Sequence, residues 1–305
     1  MPIMDSVLTP ADEPRPYAPY SPEALYELAL ARSRLSRDAS PDPSPDAIPC
    51  DALWRSVFEG SWPDECFASE AAVRQLHENI VLRFTTDAAL LARAGSLERF
   101  RAFLRSLAAE SGLVLRYGRL AQAAGVTAET IKRWVRAAEE AGLIYLLQPW
   151  PGETGLQLMR SPKILWIDTG IIAAFLGIES PEAMAEHPAA ERFLETFALT
   201  LVMKSWAAGG SDDARRAFYY MKDSRGFCVD LVIDSPEGVS GLVIEKTGLT
   251  QRKILRTFKT LAKLPLGRAL GACAVAGLEA PLRIVQAKSP EQPGVVLHGF
   301  ERLGG

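Results

Sequence analysis

Lys132, Arg133 and Arg136 fall within the stretch from Thr127 to Gly142, where Ile131, Trp134, Val135 and Ala138 recur at three- and four-residue intervals. That spacing gives a helix one apolar face and leaves the three cations on the other. Cations held on a helical face can contact nucleic-acid phosphates, with an affinity that falls as salt rises. Arg116 and Arg119, on the preceding helical segment, join them as candidate DNA contacts. Thr127 belongs to the same set, at a position where its hydroxyl can also cap the helix amides. Glu129 shares the exposed face and works against contact with a polyanion.

The elements that must position these residues are legible nearby. Residues 116–150, RYGRLAQAAGVTAETIKRWVRAAEEAGLIYLLQPW, read as two short helices joined at Gly125, a helix end at Gly142, and a strand leading through a turn to a second strand. Glycine suits both junctions because it enters the left-handed region without a Cβ penalty. Ser96 starts a further helix whose Phe100, Phe103, Leu104 and Leu107 are expected to pack beneath the pair. This is a winged helix-turn-helix pattern. Such a unit serves DNA reading and protein docking alike, and both readings stay open on sequence alone.

A chain of 305 residues with 48% apolar and 23% charged residues can form a sizeable core, with two domains as the prior expectation. Its net charge of −3 argues against a surface coated for nucleic acid, but the charge is unevenly spread. Residues 1–96 carry a net −7 and residues 143–211 a net −3, whereas 97–142 carry +3 and 212–305 carry +4. The two basic segments are the ones assigned to nucleic-acid contact. Cys50, Cys66, Cys228 and Cys273 lie far apart, without metal-site spacing, and read as structural thiols in a reducing compartment. The first residues have neither a basic start nor an apolar run, and the apolar stretch 164–178 is short and interrupted by Asp168. A cytoplasmic protein without a membrane span is expected.

In chain order, residues 1–50 form an expected mobile, Pro-rich arm, since 10 of the 21 prolines lie in 1–49. One short helix is expected there at 21–35, with Ser21 as cap and Pro22 following. Residues 51–96 read as helical, broken at Gly60 to Pro63, with Val73, Leu76, Ile80 and Phe84 as a core stripe capped at Ser69. His77 has no second ligand at metal spacing and reads as a boundary residue. Residues 97–160 are the expected winged helix and 161–305 a second domain. In the latter, Asp168 or Thr169 should cap a helix over 171–176, and a helix over 188–206 contains Glu195. Strands are expected at 217–223, 226–234 and 241–248, a helix at 253–264, and strands at 270–277, 281–287 and 295–300. Helix, three strands, helix, strand is the order of a restriction-endonuclease-like core. The fold class is therefore α/β (α+β): a helical N-terminal part, a winged helix, and a mixed sheet flanked by helices.

The segments SPKILWIDTGIIAAFLG, GLIYLLQPW, FLETFALTLVMK, FYYMKDSRGFCVDLVID and VIEKTG resemble the uncharacterised domain that follows the ATPase module in prokaryotic AAA-type ATP-binding proteins. The resemblance covers roughly residues 58–290, and its most specific piece runs from SPK to DTG. It implies a winged helix joined to a domain similar to the PD-(D/E)XK nucleases. The sequence has no Gly-x-x-x-x-Gly-Lys-Ser/Thr loop, so nucleotide hydrolysis by this polypeptide is not expected.

In an active nuclease of that type, an acid pair holds Mg²⁺ and a lysine orients the attacking water. The resemblance places these roles on Glu195, Asp230, Glu245 and Lys246, with Asp230 and Glu245 as the metal ligands. Two departures weaken the cage. Cys228 stands where relatives carry an acid on the second strand, and the third strand reads Val243-Ile244-Glu245-Lys246. Side chains two apart share a face of a strand, so Ile244 rather than Glu245 accompanies Lys246 unless a bulge intervenes. A salt bridge between Asp230 and Lys246 is then expected in place of a metal site. The expectation is a non-enzymatic nucleic-acid-binding protein without a cofactor. The alternatives are a docking adaptor for a protein partner such as a separate ATPase, and a Mg²⁺-dependent nuclease.

Overall fold

The computed structural model describes residues 50–60, 71–72, 75–76, 78–79, 81–82, 95–208, 218–235, 238–244, 251–267, 270–277, 284–285 and 295–299. The expected arm with its helix at 21–35 lies outside the described residues, as do Ser69, Val73, His77, Ile80, Phe84, Glu245 and Lys246.

Helix α1 (Cys50–Glu59) buries Leu53, Val57 and Phe58 and stops where the sequence predicts a break, at Gly60. Gly60 has φ +76°, and a Cβ there would stand 2.0 Å from the Asp168 carboxylate, so no other residue fits without displacement. Helix α2 (Leu97–Ala109) is capped by Ser96 and buries Phe100, Phe103, Leu104 and Leu107, as its spacing predicts. Helix α3 (Tyr117–Ala124) ends on the left-handed Gly125, and α4 (Ala128–Glu140) starts at Thr127, whose hydroxyl accepts from the Thr130 amide at 3.2 Å. The apolar face of α4 is buried throughout: Ile131, Trp134, Val135 and Ala138 all lie in the core. Trp134 meets Phe100 edge-on at 5.4 Å and Phe103 at 5.5 Å, which fixes α4 over α2. Beyond α4, the Leu143 amide reaches back to the Ala138 carbonyl across the left-handed Gly142 and closes the helix.

Strands β1 (Ile144–Pro149) and β2 (Lys163–Trp166) pair antiparallel. They are followed by α5 (Thr169–Leu176), α6 (Pro181–Glu186) and α7 (Ala190–Ala208). Asp168 caps α5, accepting from the Gly170 amide at 2.8 Å, as expected. Then come β3 (Phe218–Lys222), β4 (Cys228–Ser235), β5 (Gly238–Ile244), α8 (Gln251–Leu261), β6 (Leu270–Gly277), β7 (Ile284–Val285) and β8 (Val295–Gly299).

These strands form one mixed sheet in the order β2-β1-β3-β4-β5-β6-β8-β7, so the fold is mixed α/β. The β1–β2 ladder crosses the boundary expected between residues 160 and 161, and β1 then pairs parallel with β3 at Gln148–Tyr219 and Pro149–Tyr220. Trp166 adds a second tie, its indole N–H donating to the Leu107 carbonyl of α2 at 3.1 Å. The helices that carry the basic face are thereby anchored to the same sheet that carries Asp230.

Two cores cover the sheet. One is formed with α1 to α7 and takes in Phe218, Tyr220, Leu231, Leu242 and Ile244. The other gathers Met221, Val229, Val232, Val239 and Val243 beneath Ile254, Phe258 and Leu261 of α8. Each of those three α8 side chains contributes about 1.5–3 kcal/mol by leaving water. Among the described residues, no helix is long and apolar enough to cross a membrane.

Candidate functional site

The ladder between β3 and β4 is regular except at one step. Tyr219 pairs with Val232 and Met221 with Val229, so two residues of β4, Asp230 and Leu231, stand opposite the single residue Tyr220. A bulge of this kind re-aims side chains. Here Leu231 joins the core on the α7 side and Asp230 reaches Lys163 on that side too, while Val229 and Val232 pack toward α8. The sequence reading places a bulge, if any, on the following strand. The structure has one on β4, directly at the acid.

Asp230 meets Glu195 of α7 across the ammonium of Lys163, the first residue of β2. Lys163 Nζ lies 2.5 Å from Glu195 Oε1 and 3.6 Å from Asp230 Oδ1. All three side chains are no more than 4% exposed. The other oxygen of Asp230 accepts the Ile244 amide at 3.0 Å, and the Cys228 thiol donates to Oδ1 at 3.5 Å. Tyr220 forms a wall, its ring centroid 5.4 Å from Lys163 Nζ and its hydroxyl donating to the Ser161 carbonyl at 2.5 Å. A cleft of about 150 Å³ opens over the cluster between Gly112, Arg192, Lys222 and Cys228.

Sequence reasoning identifies Glu195 and Asp230, and both lie in one site. Both are buried, so neither faces solvent on its element. The expected partner Lys246, with Glu245, lies outside the described residues. The cation that sits between the acids is Lys163, which the sequence reading does not single out. A signal was present: Lys163 opens a strand in which every residue is buried, and a buried lysine needs a carboxylate partner.

This donor set does not fit Mg²⁺. That ion wants near-octahedral oxygen ligands at about 2.0–2.1 Å. Here the two acids converge on a tethered ammonium, one Asp230 oxygen is taken by a backbone amide, and the neighbouring side chain offers sulfur rather than oxygen.

Burial pushes the Tyr220 phenol up to about 12, against the pull of the Lys163 charge and with a smaller push from Cys228. The sign follows from linkage: a raised folded-state pKa favours the protonated form, so the contribution is complete below the unfolded value near 10 and is lost as pH rises to about 12. Unfolding free energy is therefore expected to fall by on the order of 1–2 kcal/mol more in the wild type than in Tyr220→Phe over that window. Urea unfolding at stepped alkaline pH measures the difference, and parallel pH profiles would contradict the assignment.

The candidate DNA contacts occupy α3 and α4. Arg116 is exposed at the start of α3, and Arg133 and Arg136 are exposed on α4. Thr127 is exposed and serves as the α4 cap. Two cations are already engaged: Lys132 pairs with Glu129 at 3.3 Å, and Arg119 pairs through Nε with the buried Glu110 at 2.8 Å. Burial raises the Glu110 carboxyl above its ordinary value, with Arg119, Arg116 and Arg192 opposing that shift.

Residues 50–182 match a family model described as a domain of unknown function (DUF8612). Two curated proteins are similar over 128 residues at 27% identity: the uncharacterized protein Mb2031c of Mycobacterium bovis and the uncharacterized protein Rv2008c of Mycobacterium tuberculosis. Each match covers 42% of this chain and only 27% of the relative's length. No solved structure matches the chain. The stretch shared with the domain of unknown function includes α1 to α5 and both strands of the β1–β2 pair, and therefore Lys163, while Glu195 and Asp230 lie beyond it.

Proposed function

We propose that this chain is a non-enzymatic nucleic-acid-binding protein, built from a winged helix and a nuclease-like sheet. The observation that carries the reading is the ammonium of Lys163 between Glu195 and Asp230. A nuclease of the PD-(D/E)XK type needs those carboxylate charges for a divalent cation, and here the chain's own ammonium occupies the space between them and offsets one of the two charges. What is left for a polyanion is basic surface. On α4, Arg133 and Arg136 stand outward beside Lys132, backed by the Trp134 core, and Arg116 and Arg119 extend the patch along α3.

Phosphate contact predicts a strong salt dependence. Titrating labelled duplex DNA at several salt concentrations should give a linear loss of log affinity with log salt. Substituting Lys132 and Arg133 together with alanine should reduce that slope by about 1.8, from about 0.9 per phosphate contact removed. Absence of duplex binding at low salt would reject the proposal and favour a protein-docking role for the same helices.

A further inference from the structure

From residue 246 to residue 278 the sequence holds seven Lys or Arg and no Asp or Glu, in a chain whose net charge is −3. The centre of that run is α8. Its Ile254, Phe258 and Leu261 are buried against the sheet, which fixes the orientation of the helix. Arg252, Arg256 and Lys259, with Lys263 just past the helix end, are all exposed. Steps of four, three and four residues put them in one line along the helix. Two of the five cations on the other basic helices, Arg119 and Lys132, carry a carboxylate partner, whereas among the described residues Arg252, Arg256, Lys259 and Lys263 have none.

We infer that the exposed face of α8 is the principal phosphate-contacting surface of this protein, and that its ligand is the backbone of duplex nucleic acid. The inference rests on the nucleic-acid reading above and moves its weight from α4 to a helix that sits between two parallel strands of the sheet, β5 and β6. The eleven steps from Arg252 to Lys263, nine of them within α8, span about 16 Å at the rise of a helix. Over that length one strand of a duplex presents about five phosphates, spaced about 3.4 Å along its axis, so a line of four cations matches it in length and sign. Side chains on a line contact backbone without reading base edges, so binding through this face should be indifferent to sequence.

The test uses the full chain and three proteins: wild type, the fourfold variant Arg252→Gln, Arg256→Gln, Lys259→Gln, Lys263→Gln, and the variant Lys132→Ala, Arg133→Ala. Each is titrated with a random-sequence duplex across a salt series, and circular dichroism checks that the helices remain. Loss of four contacts should reduce the log–log salt slope by about three to four and weaken binding at 0.1 M salt by on the order of 10²–10³-fold. The α4 variant should change the slope by no more than about half as much. If the fourfold variant loses helix content, the pair Arg252→Gln, Arg256→Gln replaces it, with half the expected change. Wild type that binds, with an unaltered slope in the α8 variant and a flattened one in the α4 variant, overturns the α8 assignment and leaves the general reading standing. Wild type that fails to bind at low salt overturns both. Loss of binding to vesicles containing anionic lipid, with duplex binding unchanged, would assign α8 to a membrane surface instead and also overturn the inference.

Discussion

Replacing Lys163 with methionine should lower the unfolding free energy by about 3–5 kcal/mol. Methionine keeps much of the length of the side chain and removes its charge, so Glu195 and Asp230 are left facing each other across a site where both are almost fully buried. The penalty comes from two buried carboxylates deprived of that ammonium rather than from the value of the salt bridges themselves, because burying the intact cluster already costs a large desolvation penalty. A second variant separates these contributions. Adding Glu195→Gln and Asp230→Asn to Lys163→Met removes both charges while keeping an acceptor oxygen for the Ile244 amide, and should restore most of the lost stability. Urea unfolding of wild type, Lys163→Met, the Glu195→Gln, Asp230→Asn pair and the triple variant is the measurement. A loss below about 1 kcal/mol in Lys163→Met alone would show that the cluster is hydrated and weakly coupled, against the burial described above.

Trp134→Ala should be comparably damaging, at about 3–5 kcal/mol, the usual range for a buried tryptophan truncated in a packed core. The side chain is 1% exposed and touches both Phe100 and Phe103, so its removal opens a cavity between α2 and α4 that the short helices cannot collapse around. Thermal or urea unfolding would report this. The contrast with the opposite face of α4 is the informative part: Lys132→Ala with Arg133→Ala should stay within about 0.5–1 kcal/mol of wild type, since both side chains are exposed. A large loss from the charge variant or a small one from Trp134→Ala would mean that the helix is oriented otherwise.

The helical faces were legible because a 3.6-residue period is a local signal. Ile131, Trp134, Val135 and Ala138 are buried, and Phe100, Phe103, Leu104 and Leu107 with them, as their spacing predicts. Caps are local as well, which is why Ser96, Thr127 and Asp168 act where their positions suggest. The cluster at Lys163 was half legible. Glu195 and Asp230 could be placed through the resemblance, but Lys163 lies 32 residues from Glu195 in the chain, and no periodicity links a residue of β2 to one of α7. The parallel pairing of β1 with β3 escapes the sequence for the same reason, since some seventy residues separate the strands and the ladder is only two pairs long. The β4 bulge leaves no trace either, because Asp230-Leu231 continues an ordinary strand pattern until its partner strand is known.

Labelled duplex DNA incubated with the protein at low salt in the presence of Mn²⁺ can be run on a native gel for binding and on a denaturing gel for strand breaks. A retarded complex that dissolves as salt is raised, with DNA that stays intact, is the expected result. Strand cleavage that requires the metal and disappears in Asp230→Ala would contradict it, because Asp230 would then be holding a catalytic cation rather than the ammonium of Lys163.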